Sequence, residues 1–336
     1  MQDPSPDSTD SPDSPDGAAW AREVARRFDL GRPAGPAVVA ARGQQGVVRS
    51  LVTDRGRFAV KVLLEPLDEA EAAADAAFCA RMADRGVLAP RPVRTTDGAV
   101  IGAVGEARVR VATWVDLDGP RTDLDPVALG TLFGTLHRDP VPTTATVDPW
   151  YTEPVPAHAW DDLATELARA RCPFAGALAA DVPRHVALAA LFRAPVDPQV
   201  CHSDLWADNV RGTPSGRLAV VDWDNSGPAE ALGEVCVGLV EYCRRGDARH
   251  PDADDRVRAF LRAYRAAGGP AVPRERADFT MVLAQFGHFA HLAGRRWLAA
   301  TTDAQRQAAS DWFHEEHDDP VDVATLDRLL IAARSV

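Results

Sequence analysis

The chain is 336 residues long, 46% hydrophobic and 26% charged, with a formal net charge of -12, which is room for two cores in an ordinary globular protein. That acidity argues against nucleic acid as the main partner, because a phosphate backbone is held by clustered Lys and Arg, and it is compatible with a cationic small molecule. No run of about 18 apolar residues indicates a membrane span, and the acidic amino-terminal stretch does not read as a secretory signal, so a cytoplasmic address is the expectation.

Residues 1–17, almost wholly Asp, Pro, Ser and Gly, cannot bury enough apolar surface to offset chain entropy and read as a disordered tail. From Ala18 to Leu30, Trp20, Val24 and Phe28 recur every fourth residue, which predicts a short amphipathic helix. Short apolar runs follow at Val38 to Ala41, Val47 to Val52 and Arg57 to Leu64, separated by Gly43-Gln44-Gln45-Gly46 and Asp54-Arg55-Gly56, an antiparallel meander. Pro66 suits the opening of a helix to about Asp84, with Glu71, Asp75, Phe78 and Met82 on one face. After Pro90-Arg91-Pro92, strands are expected at Ala99 to Val104 and Ala107 to Val115.

Beyond Asp116 the pattern turns mainly helical, with helices expected near 126–138, 157–171, 184–193, 228–245, 253–267, 275–300, 304–317 and 321–334. Between Gln199 and Val221, apolar runs flank polar turns, as in a small sheet among helices. The expected organisation is therefore a tail (1–17), a small lobe (18–115) and a large helical lobe (116–336). Cys79, Cys172, Cys201, Cys236 and Cys243 are scattered, with no Cys-x-x-Cys pair, and read as reduced, mostly buried thiols.

Of 37 cationic residues every one is Arg except Lys61. A single Lys within Phe58-Ala59-Val60-Lys61-Val62-Leu63 points to a place that needs a compact ammonium where a guanidinium would not fit. Downstream, Cys201-His202-Ser203-Asp204 is followed by Asn209, and the run Leu218 to Val221 ends in Asp222-Trp223-Asp224. Phosphoryl transfer asks little covalent chemistry of a protein. It needs one carboxylate to accept or orient a hydroxyl proton, and oxygen ligands to hold magnesium against phosphates. Asp204, Asn209 and Asp222 suit those roles. His314 and His317 lack the spacing of a His-Glu-x-x-His metal site, and His288 and His291 share a helical face without a third ligand, so both pairs read as core or surface histidines.

These motifs resemble the aminoglycoside phosphotransferase and choline kinase group, small-molecule relatives of the protein kinases, whose pattern is His-Gly-Asp-x-x-x-x-Asn followed by an aspartate-tryptophan pair. Ser203 stands in the glycine place; His202, Asp204, Asn209, Asp222 and Trp223 match. The likeness runs from about residue 37 to the end and is strongest at 200–235. It implies an α+β, bilobal protein-kinase-like fold, with a small antiparallel sheet lobe, a mainly helical lobe and ATP between them. By position, Asp204 would be the catalytic base, Asn209 and Asp222 would bind magnesium, and Lys61 would touch the α- and β-phosphates. Asp75 or Glu71 would hold Lys61 in place of the family's glutamate. Gly43 to Gly46 would cover the phosphates, and Thr113 to Val115 would meet adenine. Leu132-Phe133-Gly134-Thr135-Leu136-His137 resembles the family's leucine-histidine helix, read as core packing, and His202 is read as structural. Gly227-Pro228 passes straight toward a helix with no activation segment and no Ala-Pro-Glu signature, which favours a small substrate over a peptide. The acceptor is expected to be an aminoglycoside, amino sugar or amino alcohol. A neutral sugar or other metabolite, and a catalytically silent nucleotide-binding module, stay open as alternatives, with a protein kinase third. Oligomeric state is left open by the sequence.

Overall fold

The computed structural model describes residues 17–43, 46–244 and 252–336; the tail expected at 1–17 lies outside them except for Gly17. Two compact units form, one from the residues up to Asp118 together with Thr213–Asn225, the other from Gly119–Gly212 and Ser226–Val336.

In the first unit, helix α1 (Ala18–Arg27) buries Trp20, Ala21, Val24 and Ala25, the stripe that the four-residue recurrence predicts. Strands β1 (Val38–Arg42), β2 (Gly46–Thr53), β3 (Gly56–Leu63), β4 (Pro92–Val93), β5 (Ile101–Val104) and β6 (Ala107–Thr113) make one antiparallel sheet in the order β1-β2-β3-β6-β4, with β5 also on β6. Alternation along β3 sends Phe58, Val60 and Val62 into the core under α1. The opposite face carries Ala59, Lys61 and Leu63. Helix α2 (Glu69–Asp84) contributes Ala72 and Ala76 to a second cluster there, against which Leu63 packs.

α2 starts three residues later than Pro66 because the Asp68 carboxylate accepts the N–H groups of Ala70 (2.7 Å) and Glu71 (3.4 Å), fixing the cap there. Strand β5 starts at Ile101 and not Ala99, since the Val100 and Ile101 N–H groups donate to the Glu69 carboxylate at 2.6 and 3.0 Å. The segment Thr213–Asn225 belongs to this unit through a parallel bridge between Leu88 and Ala219, and through Trp223, whose ring meets Phe78 edge-on at 5.6 Å.

The second unit is built from α3 (Pro126–His137), α4 (Pro149–Thr152), α5 (Ala157–Arg169), α6 (Ala175–Ala189), β7 (Gln199–Cys201), β8 (Val210–Gly212), β10 (Gly227–Ala229), α7 (Ala231–Cys243), α8 (Ala253–Ala266), α9 (Thr280–Ala299), α10 (Asp303–His317) and α11 (Val323–Ala333); β9 (Leu218–Val220) lies in the first unit. The helix expected from 228 begins at Ala231, because Gly227–Ala229 pair antiparallel with β7. The one expected at 184–193 is α6, which runs from Ala175 to Ala189 and continues through Pro183, a residue that ordinarily interrupts a helix interior. The helix expected from 275 opens with a 3-10 turn at Arg276–Phe279, closed by a capping box between Glu275 and Asp278.

Phe133, Leu136 and His137 are buried, as the core reading of that helix requires. α3 lies close to α8: a Cβ on Gly134 would stand 2.5 Å from the Tyr264 carbonyl oxygen, and one on Gly130 would collide with that of Phe260. Backbone cannot yield as a side-chain tip can. Gly130→Ala is therefore expected to cost about 2–3 kcal/mol, read as a lower urea midpoint at unchanged slope. All five cysteines are buried, and no helix among the described residues is long and apolar enough to cross a membrane.

Candidate active site

Asp204 and Asn209 sit in the loop between β7 and β8. The Asn209 side-chain amide donates to both the main-chain oxygen (2.9 Å) and the carboxylate (2.8 Å) of Asp204. With its nitrogen committed there, the amide oxygen is left as the atom fit to meet a cation. His202, buried, accepts the Asp204 N–H at Nδ1 (3.3 Å). Ser203 has a φ of 66°, the left-handed region where glycine is free and other residues are strained by about 1 kcal/mol. That conformation is held from both sides: its N–H donates to Glu234 Oε1 (2.5 Å), and its carbonyl accepts from Gln285 Nε2 (3.3 Å).

Glu234 is 1% exposed, and its second oxygen lies 2.7 Å from His137 Nε2. Burial pushes this carboxyl up, but the His137 hydrogen bond, the charges of His137 and His202 and the Ser203 N–H outweigh it and leave it below the ordinary glutamate value. Tyr151 on α4 faces the same loop. Its phenol is pushed well above the usual range by burial first, then by the charges of Asp204, Asp148 and Glu234.

In the first unit, the Lys61 ammonium lies 2.8 Å from Asp222 and 2.8 Å from Asp224, although the first pair is 161 positions apart in sequence. Burial lowers its pKa, but the two carboxylates outweigh burial and hold it above the ordinary lysine value. Asp222 has a φ of 54°, a conformation that Asp tolerates better than most residues, and is the more open of the two, at 42% against 12% for Asp224. Gly46 rests on the lysine stem: a Cβ there would stand 2.7 Å from the Val62 carbonyl and 3.0 Å from the Lys61 side chain. Gln44 and Gln45, in the middle of the glycine-flanked turn, lie outside the described residues.

The other sequence candidates fall as follows. Asp75 is buried beside Arg110 of β6, at 3.5 Å, and Glu71 is exposed on α2; the carboxylate that the resemblance places beside Lys61 is thus found on an arginine. The Thr113 N–H donates to the Arg91 carbonyl (2.9 Å), which ends β6, and Val115 follows two residues beyond the strand. Arg110, Asp224, Tyr151 and Glu234 carry much of the local geometry without having been singled out for it. Asp224, next to the Asp-Trp pair, and Glu234, in the segment that follows Gly227-Pro228, left a trace in the sequence; Arg110 and Tyr151 did not.

Burial, then the charges of Asp224 and Glu71, raise Asp75 to about 7 against the pull of Arg110. Between about pH 4 and 7 the folded chain then keeps a proton that the unfolded chain releases. Stability falls as pH rises through that window, by up to about 1.4 kcal/mol per unit. Asp75→Asn removes the titration, so the wild type should lose ground to the variant between urea melts at pH 5 and pH 7.

An antiparallel-sheet unit and a mainly helical unit make an α+β fold of the protein-kinase-like class. Solved structures with the same fold include a spectinomycin phosphotransferase in complex with ADP and spectinomycin (13% identity, TM-score 0.63, covering 90% of this chain and 94% of that one). An amicoumacin kinase in complex with AMP-PNP, Ca2+ and Ami has 13% identity and a TM-score of 0.61, covering 91% and 95%. An aminoglycoside phosphotransferase from Alicyclobacillus acidocaldarius subsp. acidocaldarius has 17% identity and a TM-score of 0.59, covering 89% and 94%. At such identities the likeness establishes the protein-kinase-like fold alone. Among curated proteins none matches the sequence. Residues 37–279 match the phosphotransferase enzyme family, and the chain belongs to it: it is a small-molecule kinase, a phosphotransferase with an alcohol group as acceptor.

Proposed function

We propose that the enzyme transfers the γ-phosphoryl group of ATP, with magnesium, to a hydroxyl of an amine-bearing small molecule such as an aminoglycoside, amino sugar or amino alcohol. The observation that carries the reading is the meeting of the only lysine in the chain with Asp222, the residue that the motif nominates for metal. ADP and AMP-PNP in the similar structures support a nucleotide donor, and Ca2+ in one of them supports a divalent cation.

In this reading the unit carrying Lys61 is the nucleotide lobe and the unit carrying Asp204 the catalytic and acceptor lobe, working at a cytoplasmic address. Lys61 neutralises the α- and β-phosphates. Gly43 to Gly46 cover them, and the backbone at Thr113 and Val115 meets adenine. Helix α2, which carries Asp75 and Glu71, backs the lysine without touching it by either carboxylate: Asp75 lies on Arg110 and Glu71 is exposed. Asn209 and Asp222 offer the hard oxygen ligands that magnesium takes. The metal supplies charge neutralisation on the phosphates. Asp204 orients the acceptor hydroxyl and takes its proton.

An amine is favoured as the acceptor's second feature by the negative charge around Glu315 on the second unit. Glu315 is raised by burial and by the charges of Asp208, Asp311 and Glu241, and a bound ammonium would relieve that repulsion. Mass spectrometry of reactions with Mg·ATP and a panel of aminoglycosides, amino alcohols and neutral sugars tests the reading. Phosphorylated product from amine-bearing acceptors is expected. Product from neutral sugars alone would overturn the amine assignment, and nucleotide binding with no product from any acceptor would overturn the activity.

A further inference from the structure

Lys61 and Arg110 are direct cross-strand partners on β3 and β6, so their side chains leave the same face of the sheet. Two like charges so placed repel, and Arg110 is only 11% exposed. The arrangement holds because carboxylates are interleaved. One oxygen of Asp224 takes the Lys61 ammonium at 2.8 Å and the other takes Arg110 Nη1 at 2.5 Å. The same Nη1 lies 3.5 Å from Asp75, and Nη2 donates to the Ala72 carbonyl at 3.5 Å. Both of these acceptors are on α2.

An aspartate at position 75 is one methylene shorter than the glutamate of the resemblance, and its carboxylate lies 3.5 Å from the Arg110 guanidinium. A planar fork can touch several acceptors at once, which an ammonium cannot do with fixed geometry.

We propose that Arg110 is a positioning residue for Lys61: it clamps Asp224 against the ammonium and ties that carboxylate to α2 through Asp75, so that the link from helix to lysine runs through an arginine and a second aspartate. Asp222, the open carboxylate, is thereby free to turn to metal while Asp224 keeps the lysine in place. The inference rests on the reading of Lys61 as the nucleotide ligand.

Two measurements on the full-length protein test it. In calorimetric titration with Mg·ATP, Arg110→Gln should weaken binding by about tenfold or more, with KM for ATP rising more than kcat falls, and Arg110→Lys should recover part of the loss. Asp75→Asn should weaken binding in the wild-type background and add nothing in the Arg110→Gln background, the signature of two residues acting in series. The second readout needs no nucleotide: as the chain has a single lysine, the 1H–15N resonance of its ammonium is assigned by composition, and its hydrogen exchange should quicken several-fold in Arg110→Gln.

Unchanged ATP affinity and unchanged exchange in Arg110→Gln would overturn the proposal. So would an Asp75→Asn effect equally large in both backgrounds, which means that Asp75 acts on Lys61 without Arg110. If Arg110→Gln does not fold, the Mg·ATP titration is made in Arg110→Lys, with and without Asp75→Asn, where the lost fork should give a smaller shift of the same sign; no shift there overturns the proposal. A wild type that binds no Mg·ATP, with lysine exchange still responding to Arg110, would defeat the nucleotide reading and leave the clamp standing.

Discussion

Asp204→Ala is expected to lower kcat by about 10²- to 10⁴-fold while leaving the affinity for Mg·ATP within a small factor of wild type. The carboxylate accepts from the Asn209 amide at 2.8 Å, and the main-chain N–H of the same residue donates to His202 Nδ1, so the loop that presents it is fixed from two sides. Asp204→Asn keeps an acceptor for the Asn209 amide and removes the base, which separates chemistry from loop order; both variants should lose turnover. Asp222→Ala should do the opposite first, weakening the magnesium nucleotide itself. Calorimetric titration with Mg·ATP beside steady-state kinetics distinguishes them. Turnover in Asp204→Ala equal to wild type would defeat the assignment of the base.

Glu234→Ala should be the most destabilising single change in the second unit, by about 3–5 kcal/mol. It strips a partner from the Ser203 N–H and from His137 in a place without water access, and it removes the support of a strained left-handed residue. Glu234→Gln, which keeps one carbonyl oxygen, should cost less. Ser203→Gly relieves the φ strain and should return part of the stability in the Glu234→Ala background. Urea denaturation of the four proteins checks the order, and a Glu234→Ala variant as stable as wild type would refute it.

The sequence made the sheet, α1 and most of the helical unit legible because their apolar spacing matches the period of a strand or helix. The errors cluster where a side chain overrides that spacing: Asp68 and Glu69 set the starts of α2 and β5 by taking amides that the pattern left unassigned. Pro183 stands mid-helix in α6, so the first turns of that helix fell outside the expected 184–193. The inclusion of Thr213–Asn225 in the first unit depends on Leu88 and Phe78, more than a hundred residues upstream, and no local pattern encodes it. Asp204, Asn209, Asp222 and Lys61 were nominated from residue type and spacing, and the structure pairs Lys61 with Asp222 and Asn209 with Asp204. Arg110 was not, because an arginine in a strand of alternating exposure looks like a solvent-facing residue until the helix above it is in place.

The burial of all five thiols and the pairing of the one lysine with two carboxylates leave this protein with few groups open to thiol- or amine-directed reagents. Maleimide dyes, amine-directed cross-linkers and immobilisation chemistries would find few side chains to attach to under native conditions. A reagent that did reach the ε-amino group would report, by its very attachment, that the lysine had been let out of its cage.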